Sequence, residues 1–150
     1  MVTQYLLAKL LHVLIAVVAL GTSAGLGIVL EFFGSHPIHG SFVLRAIARV
    51  TSLVVLPGYA LMMATGVWLV SLSGSFSVTW IQCALALWVI GAAALASSLL
   101  LLGEQRRALD SAGPTSASYQ RISRASRVAG GFFGLVVVLI IGVMVFKPWS

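Results

Sequence analysis

His12 stands inside a long apolar run, three residues after Lys9, and that spacing puts both on one face of a helix. Ionisable side chains are costly inside a bilayer and ordinarily face a partner or a cavity. Imidazole is also a frequent ligand of metals and haem. At about 1.5 Å per residue, His12 lies roughly 12 Å below the start of its helix. Met63, of the pair Met62-Met63, lies roughly 13 Å from the end of a later apolar run and so at a matching depth. A histidine and a methionine at one level can serve as an axial haem set or as ligands to copper. Met63 shares its face with Leu56, Tyr59, Gly66 and Val67, and Gly66 leaves room for a flat ring. Met144 offers a second thioether, nearer the surface. Lys9 and Lys147 are the cations available to an acidic group such as a propionate. The plainer reading has His12 bonded to a neighbouring helix, the methionines as packing and Lys9 snorkelling to the interface.

Other constellations carry less. Glu31, His36 and His39 form a donor set for zinc or copper, but Pro37 opposes a helix there and the stretch reads as a solvated loop. The single cysteine, Cys83, excludes a disulfide framework and a cysteine zinc cluster. The sequence has no Ser-His-Asp set, no paired intramembrane carboxylates and no phosphate loop, so classical hydrolase, proton-pump and nucleotide chemistry have no residues to work with. Gly21 and Gly25, and likewise Gly130 and Gly134, are spaced for close helix approach. On a helical wheel Gly21 points away from His12. The first helix therefore has one face of Lys9, His12, Ala16, Ala19 and Ser23 and another of Gly21 and Gly25.

The elements that hold these residues follow from composition. Of 150 residues, 60% are hydrophobic and 8% are charged, against about 25% charged in soluble domains. The chain reads as all-α, an integral membrane four-helix bundle forming one domain over residues 1–150. Spanning helices need about 20 apolar residues, and four segments qualify: about Tyr5 to Phe33, Val50 to Val70, Thr79 to Leu102 and Val128 to Phe146. Ser41 is an earlier alternative start for the second. Ser71 to Ser77, rich in Ser and containing Gly74, breaks the charge-free stretch between Arg49 and Glu104. The first segment is too long for a signal h-region and reads as a retained helix. Pro57 bends the second helix, and Ser116 caps a helix that runs into the fourth span. Asp110–Ser118 is the linker-like stretch. Trp68, Trp80 and Trp149 read as interfacial belt residues and Trp88 as core.

Charge sets the orientation. Lys9 and Lys147 fall on one side, and Arg45, Arg49, Arg106, Arg107, Arg121, Arg124 and Arg127 on the other. The arginine-rich loops belong in the cytoplasm, with both termini outside, in a bacterial inner membrane. The net charge of +6 points to anionic lipid headgroups as the partner and not to nucleic acid.

Three stretches, Lys9-Leu10-Leu11-His12-Val13-Leu14, Leu56-Pro57-Gly58 with Thr65-Gly66-Val67-Trp68-Leu69, and Met144-Val145-Phe146-Lys147-Pro148, together resemble a bacterial family of predicted integral membrane proteins filed as a domain of unknown function, DUF2269. The resemblance covers essentially the whole chain and implies a multi-pass membrane protein, with no activity to transfer. The opening stretch also resembles HemJ-type protoporphyrinogen oxidases and CopD-type copper-resistance proteins. In the first of these a histidine of the first helix is implicated in haem binding, which implies such a role for His12. Their tryptophan and their Arg-Leu-Phe-Val-Tyr-His ending are missing. Glu31-Phe32-Phe33-Gly34-Ser35-His36 stands instead, so oxidase activity is not carried over.

The expectation is a redox-related protein holding haem b, or copper, with His12 as principal ligand, Met63 as second ligand, and Lys9 or Lys147 facing an acidic group. The alternative is a cofactor-free structural or accessory subunit, packing into a homo-oligomer or a larger membrane complex through its glycine faces. A small solute carrier is a third reading. No residue pattern assigns a reaction.

Overall fold

Hydrocarbon offers the backbone no hydrogen-bond partner, so every apolar run here must close its own bonds as a helix. The computed structural model describes residues 2–36, 38–73 and 76–147. The elements are α1 (Val2–Phe33), α2 (Gly40–Val50), a π-helical turn (Thr51–Val55), α3 (Leu56–Ser73), α4 (Thr79–Ala112) and α5 (Ala117–Phe146). Four helical stretches are long and apolar enough to cross a membrane, α2 to α3 counting as one of 34 residues. The sequence expectation of an all-α four-helix membrane protein holds.

Two helices run further than their apolar segments. The second begins at Gly40 and passes Pro57 without breaking. Proline lacks an N–H, and its ring crowds the carbonyl four residues back, which is that of Leu53. The chain takes up the mismatch by widening into the π turn just before Pro57. The charged stretch Gly103–Arg127, read as a loop, is mostly helix. Glu104-Gln105-Arg106-Arg107-Ala108-Leu109 are strong helix formers, and Arg106 pairs with Asp110 four residues on at 3.7 Å. The connection shrinks to Gly113–Ser116. Gly113 adopts a positive φ of 79°, and Ser116 Oγ accepts from Tyr119 N at 3.2 Å, the cap expected from sequence.

At about 1.5 Å per residue the 34 residues of α4 span about 50 Å, against a hydrocarbon core of about 30 Å. The α4–α5 hairpin therefore projects beyond the hydrocarbon core, and α2 packs on the projection. Leu44 and Ile47 of α2 are buried with Leu102, Ala108, Leu109 and Tyr119 in a small core of their own. The Tyr119 hydroxyl holds this end together. It donates to Gly34 O at 2.8 Å and is 3.1 Å from both Gln105 Nε2 and Ser35 Oγ. Its one hydrogen goes to Gly34, so both of those groups donate to it. Arg127 and Glu31 add an exposed ion pair at 3.3 Å.

Within the spans the surface is inverted. Leu6, Leu10, Leu14, Val17 and Val18 of α1 are exposed, as lipid-facing side chains are. The interior core joins Val55, Tyr59, Ala94, Leu95 and Phe133. Tyr59 and Trp88 stack with centroids 5.1 Å apart and exchange bonds: Tyr59 OH donates to Trp88 O at 3.1 Å, and Trp88 Nε1 donates to Tyr59 O at 3.3 Å. Trp88 is thus part of the core, as its depth implied. Trp68 is exposed, as a belt residue should be, whereas Trp80 is half-buried. Trp149, Pro148, Pro37 and the Gly74-Ser75 part of the expected turn lie outside the described residues.

The glycines divide unexpectedly. A side-chain carbon at Gly21, Gly25, Gly130 or Gly134 would meet nothing within 4 Å, so these pairs make no close approach inside the chain. The close approaches are at Gly58, against Ala19, and at Gly91, where the Tyr59 hydroxyl occupies the space of a missing Cβ. Gly91→Ala is expected to cost about 1–3 kcal/mol through overpacking, while Gly130→Ala changes stability little. Unfolding midpoints in detergent check this, and equal losses at both positions would contradict the packing.

Candidate cofactor site

The first and second spanning stretches, through α1 and α3, converge at His12. Gly66 lets the imidazole lie against α3, where an added Cβ would stand 3.4 Å from His12 Cε1. Thr65, the residue before it, stands 2.8 Å from His12 Nδ1 through its hydroxyl oxygen. That hydroxyl has one hydrogen and turns it back on its own helix, towards Leu61 O at 2.8 Å and Met62 O at 3.2 Å. It can therefore only accept from the imidazole. The proton of the neutral ring is on Nδ1, and the lone pair is on Nε2. Nε2 has no hydrogen-bond partner among the described residues.

Beside the ring lies a cavity of about 70 Å³ between the four spans. His12 enters from α1, Met62, Met63 and Gly66 from α3, Trp80 and Trp88 from α4, and Met144 from α5. The remaining lining is aliphatic. Helical side chains lean toward the N-terminus of their helix. α1 and α5 run in opposite directions, so His12 leans one way along the bundle and Met144 the other.

Of the residues singled out in the sequence, His12 and Met63 thus share one cavity. Lys9 is exposed on α1 and does not line it. Lys147 reaches its rim indirectly: it ends α5 in a left-handed conformation, φ 44°, and its ammonium lies 5.6 Å from the Trp80 ring centroid, a cation–π contact. Met62 and Thr65 were missed. Thr65 was legible as a hydroxyl at His12's depth, but nothing in the spacing ties it to α1. Trp80, expected in the interfacial belt, also walls the cavity.

The Glu31, His36 and His39 set does not assemble. Glu31 pairs with Arg127. His36 Nδ1 accepts from Ile38 N and His39 N at 3.3 and 3.2 Å, which commits its lone pair. Among the described residues no three His, Cys, Asp or Glu side chains group as a metal site.

The tautomer can be tested without any ligand. Thr65→Val removes the acceptor of Nδ1–H and is expected to move the ring proton toward Nε2, while Thr65→Ser keeps it on Nδ1. Ring ¹⁵N shifts of the metal-free protein report both, and an unchanged tautomer in Thr65→Val contradicts the assignment.

No curated protein and no solved structure is found to match the chain, and the comparisons show no likeness to HemJ or CopD types. A family model does match, over residues 6–148, that of the predicted integral membrane proteins designated DUF2269. The chain, covered almost end to end and built of four apolar helices, belongs to that family.

Proposed function

We propose that this protein is a membrane-embedded redox-metal protein that binds one copper ion, as Cu(I), between its four spans, with His12 Nε2 as the nitrogen ligand. The observation that carries the reading is the hydrogen-bond order around His12. Thr65 spends its hydrogen on α3, which leaves the imidazole lone pair on the uncommitted nitrogen. An outer-shell bond of this kind orients a ligating histidine. The thioethers of Met62, Met63 and Met144 supply the soft donors that favour Cu(I) over zinc or magnesium.

Size separates copper from haem. Sites for cofactors of porphyrin dimensions occupy about 300–1,000 Å³, and the cavity beside His12 is about 70 Å³. A single ion fits that space, while a porphyrin requires the helices to part. Lys9 and Lys147 as propionate partners belong to the porphyrin alternative and play no ligand part in the copper reading. Full-length protein from cells supplied with both copper and haem is expected to carry about one copper per chain. His12→Ala loses it, and Met144→Leu or Met63→Leu weakens Cu(I) affinity at least about tenfold. A Soret band that vanishes in His12→Ala replaces copper with haem. Protein free of both groups overturns the cofactor reading and leaves the His12–Thr65 bond as a tie between α1 and α3, as an accessory subunit would need.

The placement proposed for the site is the outer half of a bacterial inner membrane, with both termini outside the cytoplasm. Seven arginines at the hairpin end against Lys9 and Lys147 at the other support it. A reporter fused after Ser150 is expected to work only if it matures outside the cytoplasm, and cytoplasmic activity reverses the orientation.

A further inference from the structure

A second concavity lies far from His12. Between α4 and α5 an open groove of about 770 Å³ runs toward the hairpin end. Small residues line much of it, Ala93 and Ala94 on α4 and Ala125 and Ala129 on α5; the buried Ala94 and half-buried Ala129 form its floor, while Ala93 and Ala125 are exposed. Its sides include Ile90, Val128 and Phe132. Two arginines, Arg121 and Arg124, line the same groove. They are three residues apart on one helix and so share a face.

The charges of these arginines are not met within the chain. Arg106 pairs with Asp110 and Arg127 with Glu31, and the sequence has only three acidic residues. Neither Arg121 nor Arg124 has an ion-pair partner among the described residues. Their depth is also specific. The apolar run of α5 begins at Val128, so Arg124 and Arg121 lie about 6 and 10 Å below it along the axis. Arg124 lies in the headgroup layer, which adds roughly 5–8 Å to each face of the hydrocarbon, and Arg121 lies just outside it, within reach for a long side chain. Within the hydrocarbon the lining runs from Val128 to Phe132 on α5, about 6 Å, and from Ser97 to Ile90 on α4, about 10 Å, part of the way into a leaflet about 15 Å deep.

We infer that the groove between α4 and α5 binds one anionic phospholipid of the adjoining leaflet, its phosphate on Arg121 and Arg124 and an acyl chain along the alanine floor. Guanidinium groups bind phosphate oxygens through paired, charge-assisted bonds. The alanines make the wall concave where a larger side chain would fill it. The inference does not depend on the copper site, and its failure would leave that reading untouched.

The test uses the full chain in mild detergent, titrated with dioleoyl phosphatidylglycerol or dioleoyl phosphatidylcholine and read by native mass spectrometry. Wild type is expected to retain one phosphatidylglycerol at least about tenfold more tightly than phosphatidylcholine, by the 1.4 kcal/mol or more that a tenfold ratio represents. Arg121→Gln with Arg124→Gln abolishes that preference, whereas Arg106→Gln with Arg107→Gln keeps it. Ala129→Phe, which fills the floor and spares both arginines, weakens both lipids. Equal binding of the two lipids by wild type overturns the inference. So does loss of preference in the Arg106 and Arg107 variant with no effect of Ala129→Phe, because that pattern means diffuse surface charge. A lipid-independent dimer that Ala129→Phe dissolves overturns it too, by making the groove a contact between two copies. The arginine variants alter exposed side chains only, so the outcome does not hang on whether Ala129→Phe folds.

Discussion

The governing constraint is that a polar group inside hydrocarbon must find its partner within the protein. Most here find it on their own helix. Ser71 bonds Trp68 O, Ser97 bonds Ala93 O and Ser98 bonds Ala94 O, each one turn back. His12 instead reaches across to Thr65 of α3. The same constraint explains Pro57. A broken helix would strand carbonyls in lipid, and a π turn changes the bonding pattern at less cost. Where hydroxyls recycle their hydrogens locally, the cross-helix bonds of His12 with Thr65 and of Tyr59 with Trp88 become the specific ties among otherwise oily surfaces.

Beyond the hydrocarbon edge the rules reverse. Water again drives apolar faces together, and α2 answers by burying Leu44 and Ile47 while turning Arg45 and Arg49 outward. The α4–α5 hairpin supplies the other half of that small core. Tyr119 can sit there with three polar neighbours because the chain ends of α1, α4 and α5 meet at that height. One chain thus carries two cores with opposite surroundings, joined by continuous helices. The π turn lies near the junction, starting two residues after Arg49 and contributing Val55 to the interior core.

The spans were legible because a charge-free stretch of fixed length can do only one thing in a bilayer. The Ser116 cap was legible from local chemistry, as was a turn before Thr79, although α3 runs on through Ser71–Ser73 of the expected break. Helix ends at the charged side were not. Charge marks where lipid stops, while propensity decides where a helix stops, and Glu104–Leu109 kept coiling. Gly21, Gly25, Gly130 and Gly134 have the spacing of packing motifs, but spacing says nothing about which side of a helix its neighbour occupies, and all four face away from the chain's own close contacts. In the site, equal depth brought His12 and Met63 together. Met144 read as too shallow because depth was counted to its Cα, whereas its side chain leans back toward the N-terminal turn of α5.

The position of the cavity follows from how the four spans pair. α1 packs closely on α3, and α4 on α5, leaving a seam between the pairs. Tyr59 from one pair and Trp88 from the other close that seam with a stack and two reciprocal bonds, and Gly91 admits the Tyr59 hydroxyl. Past this clasp, toward the chain termini, no comparable polar bond joins the pairs among the described residues. The seam stays open enough there to enclose about 70 Å³. Trp88 serves both features, lining the cavity and holding the clasp. His12 and Met144 come from opposite sides of the seam, so any group bound by both would complete the joining of the two helix pairs that Tyr59 and Trp88 begin.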